Sequence, residues 1–428
     1  MLDMQKRLNN LFYATMSLPS TAMGFALCIQ ISALSWILST RFGLEIHEIG
    51  VVWAAGPTAG ILGQVMIGLI SDKTWFWGGR RRPFILIGGT LAALMVFLLP
   101  HIDKVNQLLG IGNILVVAVA VALVLDLSIN ISFNPTRSII ADLTPEGEAR
   151  TKGYTWMQTI SGFWGVMAYI VGATLGNDVL ISIGAFIVFA FSVLPMFFIK
   201  EQRELVTPAQ AAAATEADWG QLWRIYVAHA FSWLGVQSMF VFTYGFIQTH
   251  IIAPGLPQAV ANAQSGQIIA YSFAVLNTVG FLLPALVLAP VAKRIGRVHT
   301  QAACVAIMAL GYLMIATFAR TPLVLYALMA VVGIGWSAIV SLPFAIMSDK
   351  VDKSRMGYFM GLFNLSVVLP QLATTGVGFV LKSVANNSLL FVICGVSLAI
   401  SAALWLRVRD SLIAAGPLGA MAAAPASH

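Results

Sequence analysis

Apolar runs of roughly 20 residues recur along the chain, and the short segments between them hold nearly all of the charge. Twelve runs are read as membrane-spanning helices, over residues 13–39, 48–70, 83–100, 113–138, 154–175, 179–199, 222–248, 266–291, 300–318, 322–347, 356–381 and 387–406. A hydrocarbon core about 30 Å thick, crossed at about 1.5 Å per helical residue, sets that length. The first run, from Leu11 to Leu38, follows Lys6 and Arg7. It exceeds the roughly 7–15 apolar residues of a signal peptide and so reads as a span. A polar stretch from Lys200 to Gly220, with Pro208 and the run Ala209–Ala214, divides the runs into two sets of six. The predicted organisation is a six-helix bundle over 1–199, a cytoplasmic linker over 200–220, a second six-helix bundle over 221–410 and a disordered Ala/Gly/Pro tail over 411–428. The fold class expected is therefore all-α: a polytopic membrane protein of twelve transmembrane helices in two bundles.

Composition removes the soluble alternatives. Hydrophobic residues make up 59% of the 428 and charged residues only 10%, against about 25% charge in a soluble domain. In a soluble chain the net charge of +7 would suggest nucleic acid. Here the basic residues cluster between apolar runs, and no nucleic-acid partner is expected. Of the 24 Lys and Arg, Arg137 lies inside a run, and Arg41, Lys104, Arg320 and Lys382 fall on the side away from the N-terminus. The other 19 fall on the N-terminal side, among them Lys73, Arg80, Arg81, Arg82, Arg150, Lys293, Arg294 and Arg355. This positive-inside bias predicts that both termini are cytoplasmic, and the chain length and short loops suggest a bacterial inner (plasma) membrane. Cys28, Cys304 and Cys394 sit in apolar runs, and the six histidines show no ligand spacing. Neither a disulfide framework nor a metal site is expected.

Candidate chemistry concentrates on the fourth run. Of 17 acidic residues, only Asp126 falls mid-span. A midplane charge costs about 2.5–3.5 kcal/mol on insertion scales. Proton uptake relieves that cost, so such a residue faces the bundle interior and serves a function. On a helix, Asn130, Asn134 and Arg137 lie about 40°, 80° and 20° around from Asp126, forming one polar stripe. Arg137 is about 16 Å away along the axis, too far for an ion pair. Pro135 lacks an N–H and frees the Ile131 carbonyl. Gln30, Gln158, Ser161, Gln237, Asn277, Asn364 and Gln371 are further interior polar candidates. Their amides offer both donors and acceptors, which suits a neutral polyol. Trp53, Trp156, Trp164, Trp233 and Trp336 offer flat apolar faces. Each such side chain alone is more often a helix–helix contact than a ligand contact. One carboxylate fits a proton better than Na⁺, which needs several oxygens.

The two sets of six echo each other. Gly68-x-x-x-Asp72-Lys73 and Gly79-Arg80-Arg81-Arg82-Pro83 follow the second span, and Lys293-Arg294-Ile295-Gly296-Arg297 follows the eighth. Pro135, Asp142 and Gly153-Tyr154 are matched by Pro343, Asp349 and Gly357-Tyr358. A parallel six-helix repeat with binding between the halves is the architecture of major facilitator superfamily carriers. The stretch Asp126-x8-Pro135-x-Arg137-x4-Asp142-Leu143 resembles the fourth helix of plant sucrose–proton symporters. Asp72-x6-Gly79-Arg80-Arg81-Arg82-Pro83-Phe84, Trp53-x-x-Gly56-Pro57, Leu342-Pro343-Phe344-Ala345 and Asn364 with Pro370-Gln371 also match. These signatures lie in both halves and resemble the glycoside–pentoside–hexuronide group of that superfamily.

The resemblance implies that Asp126 binds the proton and contacts sugar hydroxyls, that Arg137 serves coupling, and that Asp72 with Arg80–Arg82 forms a cytoplasmic latch. Asp142 joins the gating set by its place in the matched stretch. Asp126, Asn130, Gln30, Gln158, Gln237, Asn364 and Gln371 are the expected sugar-binding residues. His47 is one residue out of register with the family's histidine and is assigned nothing. Helix two offers only Glu48 at its mouth, against the Na⁺-binding acids of the melibiose-carrier branch. The expected function is proton-coupled import of a disaccharide, sucrose or an α-glucoside such as maltose, by a monomer in contact with membrane lipid and without a cofactor. Export of a drug-like compound fits amide-rich candidates poorly. An enzyme would need a catalytic constellation, and a transport-deficient sugar sensor usually carries a long cytoplasmic domain; neither is apparent.

Overall fold

The computed structural model describes residues 7–60, 67, 70, 74–144, 148–201, 218–348, 350, 356–384 and 387–409. Asp72, most of the 200–220 linker and the 411–428 tail lie outside the described residues. Helices account for nearly all of the rest, and among the described residues the one strand-like feature is a bridge between Phe76 and Gly79.

The first half contributes α1 (Asn10–Thr40), α2 (Ile46–Trp53, helical again over 55–60), α3 (Arg82–Leu98), α4 (Ile114–Leu143), α5 (Glu148–Leu175) and α6 (Asn177–Phe198). The second contributes α7 (Trp219–His250), α8 (Gln258–Leu283), α9 (Arg297–Phe318), α10 (Pro322–Ile339), α11 (Met356–Val384) and α12 (Leu389–Trp405). Among the described residues, nine helices are individually long and apolar enough to cross a membrane. Helices α2, α5 and α12 occupy the remaining predicted positions.

Local signals set the boundaries. Asn9 caps α1 by accepting from Phe12 N at 2.8 Å, and Asn113 caps α4 by accepting from Leu115 N at 3.0 Å. Pro322 stands at the start of α10, where its missing N–H costs nothing. Helix α4 continues through Pro135 without a break. Two helices widen into short π segments: Gln30–Leu34 within α1, and Pro284–Leu288 after α8.

The chain forms two compact units. One comprises Met1–Pro208, Phe240–Asn277 and Gln371–Asn387; the other comprises Ala209–Met239, Thr278–Pro370 and Ser388–His428. The first unit thus contains six whole helices together with the far part of α7, most of α8 and the far end of α11. Small residues let its helices approach closely, as lipid-embedded packing requires. A Cβ on Gly88 of α3 would meet the Ser128 carbonyl of α4 at 2.6 Å, and one on Gly89 would collide with Ser192 of α6. At its N-terminal end, Phe12, Tyr13, Met16, Ile85, Ile139, Ile140, Met157 and Met196 form a buried cluster.

The second unit uses the same devices. A Cβ on Gly335 of α10 would press on Met308 and on the Cys304 carbonyl of α9. Ser232 and Ser401 share a buried hydrogen bond at 2.7 Å between α7 and α12, and Ser397 Oγ donates to the Phe231 carbonyl at 2.7 Å.

Candidate functional site

Asp126 lies near the middle of α4 and is only 6% exposed. Gln30, 3% exposed, donates from Nε2 to Asp126 Oδ2 at 3.0 Å. Gln30 is the first residue of the π segment in α1. Wider turns of this kind often mark functional positions, because they re-aim side chains relative to a regular helix. The third wall is Gly56 of the second span, where a Cβ would come within 3.1 Å of Asp126 Oδ2. Glycine therefore leaves room for the carboxylate. Asn130, one turn on, donates from Nδ2 to the Asp126 carbonyl at 2.8 Å. An amide beside a carboxyl serves both protonation states: its NH₂ donates to the carboxylate, and its carbonyl accepts from the acid. The arrangement can take up and give back a proton without stranding a buried polar group.

Arg137 is exposed, with its guanidinium 4.0 Å over the Phe133 ring one turn earlier on α4. Around the carboxylate site, Trp53 donates from Nε1 to Ser35 Oγ at 2.9 Å, and Thr21 and Ser161 share a hydrogen bond at 3.0 Å. Asn277 is bonded to the Tyr169 hydroxyl, which also meets Cys28, tying α8, α5 and α1 together. Gln158 is exposed, and Gln371 is half-buried in the first unit.

Gln237 and Asn364 belong to the second unit, where Gln237 is buried and Asn364 half-buried. Beside them, Trp233 donates from Nε1 to His229 Nε2 at 2.9 Å, the His229 ring stacks on Phe363 at 4.7 Å, and Trp233 meets Trp336 edge-on. Among the described residues, no group of three His, Cys, Asp or Glu side chains could hold a metal ion.

The Arg80–Arg82 segment is held from two directions. Arg80 Nη2 and Arg81 Nε lie 3.3 and 3.1 Å from Asp142 Oδ2 at the end of α4. The backbone N–H groups of Arg80, Arg81 and Arg82 donate to the Glu201 carboxylate at 2.9, 2.9 and 2.7 Å. Glu201 thus occupies the N-terminus of α3, where an anion is favoured. Gly79 allows its approach, since a Cβ there would collide with Glu201. Asp142 stands out in the sequence; Glu201 does not. Its only sequence signal is an acid just beyond the sixth span.

At the opposite end of the first unit, segments from both halves of the chain meet. Ser35 Oγ of α1 donates to the Val241 carbonyl of α7 at 3.0 Å, and Trp36 Nε1 donates to the Asn262 carbonyl of α8 at 3.0 Å. Thr375 Oγ1 of α11 donates to the Gly50 carbonyl of α2 at 3.2 Å. The Phe242 ring sits against Gly50 and Gly378, where added Cβ atoms would come within 3.2 and 2.9 Å of it. Beyond them Lys382 Nζ meets Glu45 Oε2 at 2.7 Å, and the ammonium holds the exposed Glu45 carboxyl below the ordinary glutamate range, by its hydrogen bond first and its charge second.

The profile of the Major Facilitator Superfamily matches residues 16–375 and, overlapping, 247–424. Sucrose transport protein SUC4 of Arabidopsis thaliana is 22% identical over 409 residues, covering 81% of this chain and 79% of that protein. Sucrose transport protein SUT3 of Oryza sativa subsp. japonica is 24% identical over 443 residues, covering 86% of each. A general alpha-glucoside permease of Schizosaccharomyces pombe is 26% identical over 174 residues, but that match spans only 36% of this chain and 31% of the permease. Among solved structures, the nucleoside transporter NupG superposes with a TM-score of 0.69 at 14% identity, covering 94% of this chain and 99% of that one. The POT family transporter PepTSo gives 0.67 at 11% identity, with 95% and 99% covered. These two likenesses bear on the fold alone.

Proposed function

Because the chain belongs to the Major Facilitator Superfamily and is a multi-pass membrane transporter rather than an enzyme, we propose that it is a proton-coupled symporter importing a neutral disaccharide, sucrose or an α-glucoside such as maltose. The observation that carries this reading is the Asp126 carboxylate, buried mid-span with the Gln30 amide on it and Gly56 making room. Similarity to sucrose transport proteins along most of the chain supports the substrate class.

In this reading both termini are cytoplasmic, a placement that the distribution of Lys and Arg supports. Asp126 accepts a proton from the outer side, and Gln30 turns from donor to acceptor as it does so. Asn130, Gln158, Gln237, Asn364 and Gln371 hold sugar hydroxyls, Arg137 serves coupling, and the neutralised site permits the change of access. The membrane potential adds about 2.3 kcal/mol per charge per 100 mV to inward proton transfer. The contacts among α1, α2, α7, α8 and α11 then form an external gate, closed in this conformation. The cluster of Arg80, Arg81, Arg82, Asp142 and Glu201 lies at the cytoplasmic end, with Asp72 assigned to the same cluster from its sequence position. The carrier works as a monomer.

The test is uptake of labelled sucrose and maltose by cells lacking their own carriers. Uptake is expected to collapse with a protonophore and to be indifferent to replacing Na⁺ by choline. A requirement for Na⁺, or movement of neither sugar, would overturn the proposal.

A further inference from the structure

A cavity of about 440 Å³ opens beyond the external gate, wholly within the first unit. That is within the roughly 300–1,000 Å³ of small-molecule sites. Its floor is the gate itself. Ser35 Oγ there both accepts from Trp53 Nε1 and donates to the Val241 carbonyl, and Phe242 is packed into the glycine notch. Gln30, which holds Asp126, lies five residues back along α1, about 7 Å deeper. The cavity is therefore separate from the carboxylate site. Its rim is open to water, since Thr249 and Gln258 are exposed.

The lining has a definite chemistry. Among the described residues it contains no Asp, Glu, Lys, Arg or His. An ionised ligand would find no counter-charge there, and burying one unpaired is costly. Four primary amides, Gln248, Gln258, Asn262 and Asn387, converge on it, with the hydroxyls of Tyr244 and Thr249. Mutual hydrogen bonds hold these groups in place. Gln248 Nε2 donates to Tyr244 Oη at 2.8 Å, Gln258 Nε2 to Asn262 Oδ1 at 2.9 Å, and Asn387 Nδ2 to Thr249 Oγ1 at 3.3 Å. Amides and hydroxyls can each donate and accept, which matches a solute whose surface is mostly hydroxyl. Fixed partners also lower the ordering cost of binding.

The geometry points to this cavity as an external docking subsite for a neutral polyhydroxylated solute, where a sugar binds outside the closed gate before reaching Asp126. The inference rests on the sugar-carrier reading above. It adds a second location, with amides from α7, α8 and residue 387 in place of the carboxylate.

The experiment uses the detergent-solubilised full chain carrying Leu44→Cys in the cavity wall, which leaves all four amides in place, with the rate of labelling by a hydrophilic maleimide as the readout. Native Cys304 and Cys394 are buried, and the unsubstituted chain supplies the background from Cys28. Sucrose is expected to slow labelling several-fold, and to do so equally when Asp126→Ala is combined with Leu44→Cys. A charged sugar acid at the same concentration is expected to give no protection. Where Asp126→Ala does not yield folded protein, Gln30→Ala disables the central site instead. Protection that disappears with the central-site variant would mean that sugar acts only through Asp126, and would overturn the subsite. So would unprotected labelling in a chain that still takes up sucrose. A chain that neither takes up nor is protected by any sugar defeats the sugar-carrier reading first, and the subsite with it.

Discussion

The two ends of the first unit are closed by different chemistry. At the end assigned to the cytoplasm, charge dominates: two arginine side chains meet Asp142, and three backbone N–H groups converge on Glu201. At the other end the contacts that join α1 and α2 to α7, α8 and α11 are mainly neutral. A tryptophan N–H and two hydroxyls donate to backbone carbonyls, and an aromatic ring fills a notch between two glycines. The ion pair that accompanies them, Glu45 with Lys382, is exposed. The partners differ too. Asp142 and Glu201 both belong to the first half of the chain, so the charged cluster braces α3, α4 and the end of α6. The neutral contacts join the first half to the second, and in the proposed reading it is these that part when the outer side opens. Close packing and single hydrogen bonds fade within an ångström or two, whereas ion pairs act over longer distances. A gate of the first kind opens as a discrete event, and a brace of the second kind holds its bundle together throughout.

Overfilling the neutral end is expected to have the largest effect. Gly378→Leu puts a side chain where the Phe242 ring lies, and overpacking costs about 1–3 kcal/mol. That shifts the closed-to-open ratio by about fivefold at the low end and by about a hundredfold at the high end. Sugar uptake should be nearly lost, while the thermal midpoint of the purified protein moves little. Normal uptake would mean that the notch is not the gate.

Breaking the charged end should do the reverse. Glu201→Ala leaves three N–H donors and an arginine segment without their anion. Hydrogen bonds to charged groups contribute about 1.5–3 kcal/mol, so thermal stability in detergent should fall measurably while equilibrium sugar affinity is retained. An unchanged midpoint with lost affinity would put Glu201 in the binding site.

The smallest effect belongs to Glu45. Its carboxyl is held below its ordinary range by Lys382. The pair's contribution is thus complete above the ordinary carboxylate value and is lost as external pH falls through the lowered one. Glu45→Gln should flatten that acid limb slightly and change uptake little at neutral pH. Being exposed, the pair should also weaken with salt. A large loss at neutral pH would make the ionic contact, rather than the glycine notch, the gate.

Much of this is legible in the residues alone. Run length gave the twelve helical positions, and the lone mid-span acid singled out Asp126 with Gln30 among its candidate neighbours. The Arg80–Arg82 cluster and Asp142 stood out because charge is scarce in this chain. What stayed hidden depends on which surfaces face each other. Gly50, Gly378, Phe242 and Trp36 are ordinary residues for a membrane helix, and only tertiary packing makes them a closure. Glu201 looked like the start of a linker, since nothing in its neighbours shows that three N–H groups point at it. The π segment at Gln30 carries no composition signal, and neither does the clustering of the far parts of α7, α8 and α11 with the first six helices.

Proton coupling through Asp126 is tested most directly by Asp126→Asn, which keeps the size of the side chain and most of its hydrogen bonds but cannot titrate. With an inward pH gradient imposed on vesicles, the variant should fail to concentrate sucrose and should show no proton influx on sugar addition, although downhill exchange can survive. Accumulation of sugar by the variant in response to that gradient would contradict the role of Asp126, and with it the proton-coupled mechanism.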